Sequence, residues 1–338
     1  MSEKQILVTL GPASMNRDTI EKCEKESVNL FRINLSHTKL EDVEPTIKRI
    51  RDWTNIPICL DSEGAQIRNE KMKEERVFFE KGSLVKIHHK RVIGDSNNIS
   101  FTPHNIAKQF IAEDRINVDF DSVRLKVIEI KEKYSLAIVE MEGFVGWNKA
   151  VDIGRGIKLD AITKKDKAAI EIGKRLGIKN FALSFAQSSN DVEQMRALVG
   201  KEATLICKIE SISGVVNLNE ILNHADQILI DRGDLSRQIP NHKIPFLQRR
   251  IISLSRSQGK PVFVATNLLE SMTNSRTPTR AELNDVVSTL IMGANGLVLA
   301  SETAIGKYPV AAVQNIRNLI EQFEKWTTNT SIKEILDN

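Results

Sequence analysis

The chain is organised around three short stretches: LICKIE at 205–210, ILIDRGD at 228–234 and PVFVAT at 261–266. Each is an apolar run of strand length that ends in polar or charged residues, a pattern typical of a buried strand that leads into a functional loop. If the three strands are parallel neighbours, their carboxyl ends meet at one edge, where α/β sheets and barrels hold their catalytic groups. We therefore expect four side chains to gather at this edge: Lys208, Glu210, Asp234 and Thr266.

The flanking sequence repeats this alternation of strands and helices. Three strands are predicted before residue 70, and the remaining five follow residue 150. Their predicted bounds are 4–10, 28–33, 57–60, 180–183, 203–208, 227–231, 261–265 and 296–300. Eight strands that alternate with helical patterns predict an α/β fold, the (β/α)8 or TIM barrel.

The alternation breaks between about residues 71 and 147, where short segments of period two such as 84–87 and 135–139 take over. This pattern predicts an all-β insertion after the third strand, on the catalytic side of the barrel, where it would form a lid. The predicted domains are therefore a barrel at 1–69 and 150–328, a β lid at 70–149 and a tail at 329–338.

Composition and charge exclude several classes of protein. The hydrophobic fraction of 41% and charged fraction of 27% are those of a soluble globular protein. The net charge is only +4, with Lys and Arg interspersed among Asp and Glu, so we expect no nucleic-acid partner. Neither a signal peptide nor an apolar membrane span is evident, and Cys23, Cys59 and Cys207 form no CxxC pair. We expect a cytoplasmic protein without a membrane partner, with buried and inert thiols.

The carboxylates at the strand ends suggest a metal site. Glu210 and Asp234 could hold a hard divalent ion such as Mg²⁺, which prefers a few carboxylates together with water and substrate oxygens. Lys208 lies one strand period from Glu210 and could stabilise developing negative charge on an enolate or a phosphoryl group. The alternative is a structural pairing of either carboxylate with Lys208 or Arg232.

Other polar residues at the strand ends each leave two interpretations open. Thr266 could relay a proton through water, or could cap a helix that begins at residue 267. The oxygen-bearing side chains of Asn34, Ser36, Asp61 and Ser62 could hold a cation or could cap loops. Arg32 and Arg68 could grip phosphate oxygens, whereas His37 alone is more typical of a surface histidine.

The chain resembles the pyruvate kinase family from about residue 7 to about residue 326. Seven motifs carry the resemblance in matching order and spacing: TLGPAS (9–14), RINLSH (32–37), KIE (208–210), RGDL (232–235), LESM (269–272), PTRAE (278–282) and ETA (302–304). Members of this family have a (β/α)8 barrel with a β lid after the third strand, the arrangement that the strand pattern also predicts. The resemblance implies a kinase that transfers a phosphoryl group between phosphoenolpyruvate and ADP or ATP.

The resemblance also implies roles for the matching residues. Glu210 and Asp234 would hold Mg²⁺ or Mn²⁺, Lys208 would stabilise the phosphoryl transfer and the enolate, and Thr266 would lie on the proton-delivery side. The backbone of Gly233 and Asp234 would contact the substrate carboxylate. A monovalent ion, K⁺ in many members, would take the side chains of Asn34, Ser36, Asp61 and Ser62. The nucleotide phosphates would lie among Arg32, His37, Arg68 and Lys149.

Several residues depart from the family pattern near the substrate. Members usually have Ala at the position of Asp231. An inward carboxylate about 4 Å from a substrate carboxylate would cost roughly 4 kcal/mol at an effective dielectric near 20. Glu63 and Gln187 occupy positions where members usually have Lys and Arg, respectively. These changes remove positive charge near the entrance of the predicted active site. Gln66 leaves the K⁺ requirement open.

These departures keep two alternatives to a standard pyruvate kinase open. One uses the same enolate and metal groups on a different pyruvoyl substrate, as a specialised kinase, phosphatase or lyase. The other is a catalytically silent paralogue that serves in binding or assembly.

Two expectations concern assembly and regulation. The chain ends after the last barrel helix, so we do not expect sugar-phosphate activation through the C-terminal domain found in many members. The retained 278–282 segment, which lies at a subunit interface in the family, predicts a homodimer.

Overall fold

The computed structural model describes residues 3–64, 66–119, 122–155, 157–327 and 329–336. The chain divides into two compact units, one formed by 1–64 with 161–338 and the other by 65–160. The strands, in chain order, are β1 (Gln5–Leu10), β2 (Leu30–Asn34), β3 (Ile58–Asp61), β4 (Ile67–Asn69), β5 (Val77–Phe79), β6 (Leu84–His88), β7 (Asn98–Thr102), β8 (Arg115–Val118), β9 (Val123–Ile130), β10 (Tyr134–Met141), β11 (Gly143–Val145), β12 (Ala150–Ile153), β13 (Asn180–Leu183), β14 (Thr204–Ile209), β15 (Gln227–Asp231), β16 (Val262–Ala265) and β17 (Gly296–Leu299).

The α-helices of the described residues lie mostly between the strands of the first unit. In chain order they are α1 (Arg17–Lys25), α2 (Leu40–Arg51), α3 (Lys164–Arg175), α4 (Ser189–Val199), α5 (Ile212–Val216), α6 (Leu218–His224), α7 (Arg232–Leu235), α8 (Ile244–Ser257), α9 (Arg280–Ile291), α10 (Ser301–Ala304), α11 (Pro309–Lys325) and α12 (Ile332–Leu336). Three of them begin with reciprocal capping boxes, at Thr163 with Asp166, Ser188 with Asp191 and Thr279 with Glu282. These caps satisfy free N–H groups in the first helical turn and so fix where the helices start.

The first unit is a closed barrel of eight parallel strands in the order β1-β17-β16-β15-β14-β13-β3-β2. The predicted α/β barrel is therefore confirmed. Its interior is a layer of buried side chains to which every strand contributes: Leu7, Leu30, Cys59, Ala182, Ile206, Leu229, Phe263, Ala265 and Val298. A larger apolar cluster joins the opposite faces of the strands to the helices, for example Phe31 and Phe181 with Ile47 and Ile170.

The second unit contains a closed barrel in the order β10-β6-β7-β4-β12-β8-β9 and a separate two-stranded sheet of β11 and β5. Its strand pairs are antiparallel except for β6 with β7. A core of its own includes Phe79, Ile87, Leu125 and Val139. The predicted β insertion is thus a separate sheet domain.

The boundaries of the second unit are wider than the predicted 70–149. Strands β4 and β12 hydrogen-bond to each other and to strands of the second barrel, so both belong to it. Ile157 and Leu159 also pack against its core. The unit therefore spans 65–160. The predicted tail at 329–338 includes the short helix α12.

None of the helices in the described ranges is long and apolar enough to cross a membrane.

The three cysteines are free and buried, as expected from the sequence. Burial raises the pKa of Cys23 to about 12 and that of Cys59 and Cys207 further still. Because the thiolate is the reactive form, all three should be inert in the folded protein. We expect no fast reaction with Ellman's reagent at pH 8 and release of three equivalents in guanidinium chloride, the denatured sample being the control. Fast native reaction of any thiol would contradict this packing.

Candidate active site

The alternation of side chains along the barrel strands determines which polar residues face the barrel axis. Residues two apart on a strand point to the same face, so residues that follow the interior layer at this spacing also face the barrel axis. On β14, Lys208 follows the interior residue Ile206 at this spacing, and on β15, Asp231 follows the interior residue Leu229. The same rule on other strands brings in Thr9, Arg32, Asp61 and Ser184.

Lys208 lies at the centre of this polar layer and is only 5% exposed. Its Nζ is 2.8 Å from Glu210 Oε1, 3.3 Å from Asp61 Oδ2 and 3.0 Å from Ser184 Oγ. Burial disfavours the charge, but Asp61, Glu210 and Asp231 together raise the pKa of Lys208 above its usual value. The ammonium is therefore held in its charged form and in one position.

Arg32 is held by the same oxygen of Asp61 that lies near Lys208. Its Nη1 donates to Asp61 Oδ2 at 3.0 Å and its Nε donates to Thr9 Oγ1 at 2.9 Å. Asp61 is completely buried, and its Oδ1 accepts a hydrogen bond from Ser184 Oγ at 3.1 Å. Asp61 therefore joins both buried cations and orients them.

Three carboxylates form the acidic part of the site. Oxygens of Glu210, Asp231 and Asp234 lie within 4.8 Å of one another, the one such cluster in the described ranges. Glu210 Oε2 accepts the Phe185 N–H at 2.7 Å, whereas the buried Oε1 has no hydrogen bond. The Lys208 ammonium lies 2.8 Å from Oε1 and attracts it electrostatically, but the two groups are not aligned for a hydrogen bond.

The cluster fits a hard divalent cation. Burial raises the pKa of Glu210, Lys208 opposes this effect, and Asp234 and Asp231 add to it. Closely spaced carboxylates repel each other in a site of low dielectric, and a divalent ion that prefers oxygen ligands relieves that repulsion. The donor set and the unbonded buried oxygen of Glu210 both match this requirement.

Thr266 does not cap a helix, contrary to one interpretation of the sequence. Its φ is +67° and that of Asn267 is +54°, and the next helical turn begins only at Glu270. The Thr266 hydroxyl instead accepts the Gly233 N–H at 2.8 Å and lies 3.1 Å from Asp231 Oδ1. Left-handed backbone at a non-glycine residue costs energy and is common at functional sites.

The backbone donors predicted to bind the substrate carboxylate are both engaged within the protein. Gly233 N–H donates to Thr266, and Asp234 N–H makes a long hydrogen bond of 3.4 Å to Asp231 Oδ1. Asp231 is only 5% exposed and is turned towards the acidic cluster. Its inward side chain is therefore the main departure of this site from the family pattern.

The residues predicted to hold a monovalent ion use several of their oxygens in local hydrogen bonds. Asn34 Oδ1 accepts the Ser36 N–H at 2.9 Å, and Ser62 Oγ accepts the Ser184 N–H at 2.9 Å. Asp61 is occupied by Arg32, Lys208 and Ser184. These bonds agree with the loop-capping alternative, and the ion site stays a prediction.

The residues predicted to surround the nucleotide lie in both units. Arg32 and His37 belong to the first unit, with His37 exposed on the loop after β2. Arg68 and Lys149 belong to the second unit, where Arg68 Nη1 donates to the Asn148 carbonyl at 2.8 Å. Lys149 Nζ lies 3.2 Å from Asp119 Oδ2. Their nucleotide role stays a prediction.

Sequence reasoning missed three residues that shape the site. Thr9 hydrogen-bonds to Arg32, and Ser184 hydrogen-bonds to Lys208. Thr9 and Ser184 could both have been predicted by continuing the strand alternation past the interior layer. Arg237 donates to Asp234 Oδ1 at 2.9 Å. A residue three positions away in a short helical turn gives no clear signal in the sequence.

The comparisons with known proteins agree with this geometry. The family description "Pyruvate kinase, barrel domain" matches residues 1–313. Pyruvate kinase of Thermotoga maritima is 32% identical over 334 residues, which cover 96% of this chain and 72% of that protein. Pyruvate kinase of Thermococcus litoralis is 34% identical over 331 residues, which cover 95% of this chain and 70% of that protein.

A solved structure extends the similarity to three dimensions. The crystal structure of a pyruvate kinase from Cryptosporidium parvum matches with a TM-score of 0.86 and 28% identity, covering 97% of this chain and 70% of that one. The comparisons do not favour the alternative of a different pyruvoyl chemistry or a silent paralogue. The chain therefore belongs to the pyruvate kinase family and is a pyruvate kinase-like phosphotransferase.

Proposed function

We propose that this protein catalyses Mg²⁺-dependent or Mn²⁺-dependent phosphoryl transfer between phosphoenolpyruvate and ADP, together with protonation of the resulting enolate. The observation that carries the proposal is the charged Lys208, held between Asp61 and Glu210 beside a cluster of carboxylates. A fixed positive charge in a buried site stabilises negative charge that develops in the transition state. Enolate and phosphoryl oxygens both develop such charge.

Glu210 and Asp234 would hold the divalent ion, which when bound neutralises charge on phosphoryl and enolate oxygens. Arg237 pairs with Asp234 and orients its carboxylate towards the cluster. Lys208 would contact the transferred group and the enolate oxygen. Arg32, fixed by Asp61 and Thr9, would place a second positive charge near the phosphates.

Thr266 would lie on the path of the proton. A threonine hydroxyl is too weakly acidic to donate a proton unaided, so its role would be to orient a water or relay a proton. Its position is well defined, because the hydroxyl accepts from Gly233 and lies against Asp231. This arrangement supports a positional role for Thr266.

The remaining parts of the proposal rest on the sequence motifs. His37, Arg68 and Lys149 would join Arg32 around the nucleotide phosphates, and K⁺ would be held by Asn34, Ser36, Asp61 and Ser62. The small-molecule partners would be phosphoenolpyruvate and the nucleotide. A homodimer through the 278–282 segment is also proposed, and its molar mass in solution is the test.

A coupled assay tests the proposed reaction directly. With millimolar phosphoenolpyruvate, ADP, Mg²⁺ and K⁺, we expect turnover to pyruvate and ATP. Glu210→Gln should lower kcat/KM by about a hundredfold or more, because it weakens the hold on an ion that contributes several kcal/mol to the transition state. The exposed Glu202→Gln is the matched control and should behave like the parent protein. Absence of turnover in the parent would refute the proposed reaction.

A further inference from the structure

Among the described residues, Asp231 is the acidic residue of the site that has no cationic partner. Asp61 is paired with Arg32 and Lys208, Glu210 with Lys208, and Asp234 with Arg237. In the described part of the chain, by contrast, no Lys or Arg nitrogen lies within 4.0 Å of an Asp231 carboxylate oxygen. Burial and the neighbouring Asp234 carboxylate disfavour the charge of Asp231, which is only 5% exposed, and the more distant charges of Lys208 and Arg32 offset this cost only in part.

When all of its groups are ionised, the charges of the site add to an excess of one negative charge. The cations are Arg32, Lys208 and Arg237, and the anions are Asp61, Glu210, Asp231 and Asp234. Without Asp231 the paired groups would balance. Asp231 therefore supplies the charge that makes the protein alone attractive to a cation.

A second observation points to a ligand at the same place. The buried Oε1 of Glu210 lies 2.8 Å from the Lys208 ammonium but makes no aligned hydrogen bond, whereas Oε2 accepts the Phe185 N–H. Oxygens of Glu210, Asp231 and Asp234 lie close enough to one another to contact one ion. Mg²⁺ and Mn²⁺ take carboxylate oxygens as ligands and fill their other positions with water or substrate.

We propose that Asp231 is a third protein ligand of the divalent ion. The proposal rests on the proposed function in taking Glu210 and Asp234 as the other two ligands. Three carboxylates bind a dication more tightly than two, since each adds a favourable charge interaction and an oxygen ligand.

The same charge has a consequence for substrate choice. With the dication bound, the charges of the site sum to +1, whereas without Asp231 they would sum to +2. An anionic substrate is therefore attracted less strongly than it would be without Asp231, and the site selects ligands that can coordinate the ion directly through their own oxygens. Asp231 is in this sense a specificity-determining residue.

The competing role for Asp231 is structural. Its Oδ1 accepts from the Thr266 hydroxyl at 3.1 Å and from Asp234 N–H at 3.4 Å, and it caps the short helix α7. Asp231→Asn keeps an acceptor oxygen for both bonds but removes the charge. Asp231→Ala removes both, so the two variants separate the roles.

The test is Mn²⁺ binding to the full chain without substrate, measured by electron paramagnetic resonance and by calorimetry. The parent should bind one Mn²⁺ per chain at this site. Asp231→Asn and Asp231→Ala should both raise the Kd for Mn²⁺ by about tenfold or more, the range typical of damage to a metal site. The exposed Asp52→Asn is the matched control and should leave the Kd unchanged.

Two results would overturn the proposal. One is a parent protein that binds no Mn²⁺ until substrate is added. The other is an Asn variant that binds Mn²⁺ within twofold of the parent, which would assign Asp231 to capping. If Asp231→Ala fails to fold, as thermal unfolding would show, Asp231→Asn alone decides. A protein without turnover that nevertheless binds Mn²⁺ through Asp231 would refute the proposed reaction and leave this inference intact.

Discussion

Replacing Lys208 with Met is expected to lower kcat by about a hundredfold to a thousandfold, the loss typical of removing one charge-stabilising donor from a preorganised site. Met keeps most of the length of the lysine stem but removes the ammonium. That ammonium lies 2.8 Å from Glu210 and 3.0 Å from Ser184, and no other buried cation contacts both residues in the described ranges. The measurement is steady-state turnover with phosphoenolpyruvate and ADP at saturating Mg²⁺.

The substitution should also destabilise the barrel. Without Lys208, the carboxylates of Glu210 and Asp61 lose a buried partner at 2.8 and 3.3 Å. Breaking a buried ion pair by removing one member costs about 3–5 kcal/mol, because the remaining charge stays out of water. Thermal unfolding should therefore shift to a lower temperature, and added Mg²⁺ should recover part of the loss by binding to the carboxylates that have lost their partner.

A second variant separates catalysis from folding. Lys208→Arg keeps the positive charge, so the fold should be largely retained, but the planar guanidinium cannot place its nitrogens where Nζ lies. We expect its kcat to remain at least tenfold below that of the parent, on the order of 1.4 kcal/mol. Lys307→Met changes an exposed lysine and serves as the control. A Lys208→Met protein with turnover within threefold of the parent would exclude a role for this residue in the reaction.

Much of the barrel is predictable from the sequence because its signals are local. Each buried strand is a short apolar run, and the predicted bounds of the strands at 180–183 and 227–231 agree with β13 and β15. The side to which Lys208 and Glu210 point also follows from alternation along one strand. The residues at the centre of the candidate site are therefore predictable from the amino-acid sequence alone.

The failures concern contacts between distant residues or unusual backbone. Strands β4 and β12 are only three and four residues long, and their place in the second unit is decided by pairing partners far away in sequence. The left-handed φ of Thr266 cannot be read from a residue type that rarely adopts it. The capping prediction failed for that reason.

Asp231 has one property that the sequence predicts and one that it does not. Alternation from Leu229 places it on the axis-facing side, so its inward orientation could have been predicted. Its lack of a cationic partner could not, because Lys208 and Arg237 are committed to Asp61, Glu210 and Asp234 by tertiary packing. Charge balance in a buried site is a property of the assembled barrel.

Gly64→Ala is expected to lower the free energy of unfolding by about 2–5 kcal/mol. Two costs add at this position. The φ of Gly64 is +74°, and forcing an L-residue into that region costs about 1–2 kcal/mol. An added Cβ would also lie 2.8 Å from both the Cβ and the carbonyl oxygen of Ser184, and such overpacking costs about 1–3 kcal/mol.

The displaced neighbour connects this loop to the reaction. Ser184 is bound to Ser62 through its N–H and Oγ, and its Oγ also contacts Asp61 and Lys208. A shift of Ser184 therefore moves an anchor of the central ammonium. We expect kcat to fall by about tenfold to a hundredfold, since displacing a catalytic group by about 1 Å has effects of this size.

Gly177→Ala provides a matched control within the same unit. Its φ of +71° is almost the same, but an added Cβ there meets no atom within 4 Å. It should therefore show only the backbone cost of about 1–2 kcal/mol and keep the turnover of the parent. Urea unfolding followed by far-UV circular dichroism gives both free energies, and the coupled assay gives both rates. Equal losses of stability in the two variants, within about 0.5 kcal/mol, would show that the Gly64 loop can move away from Ser184 freely. An unchanged kcat in Gly64→Ala would show that this loop does not affect the position of Lys208.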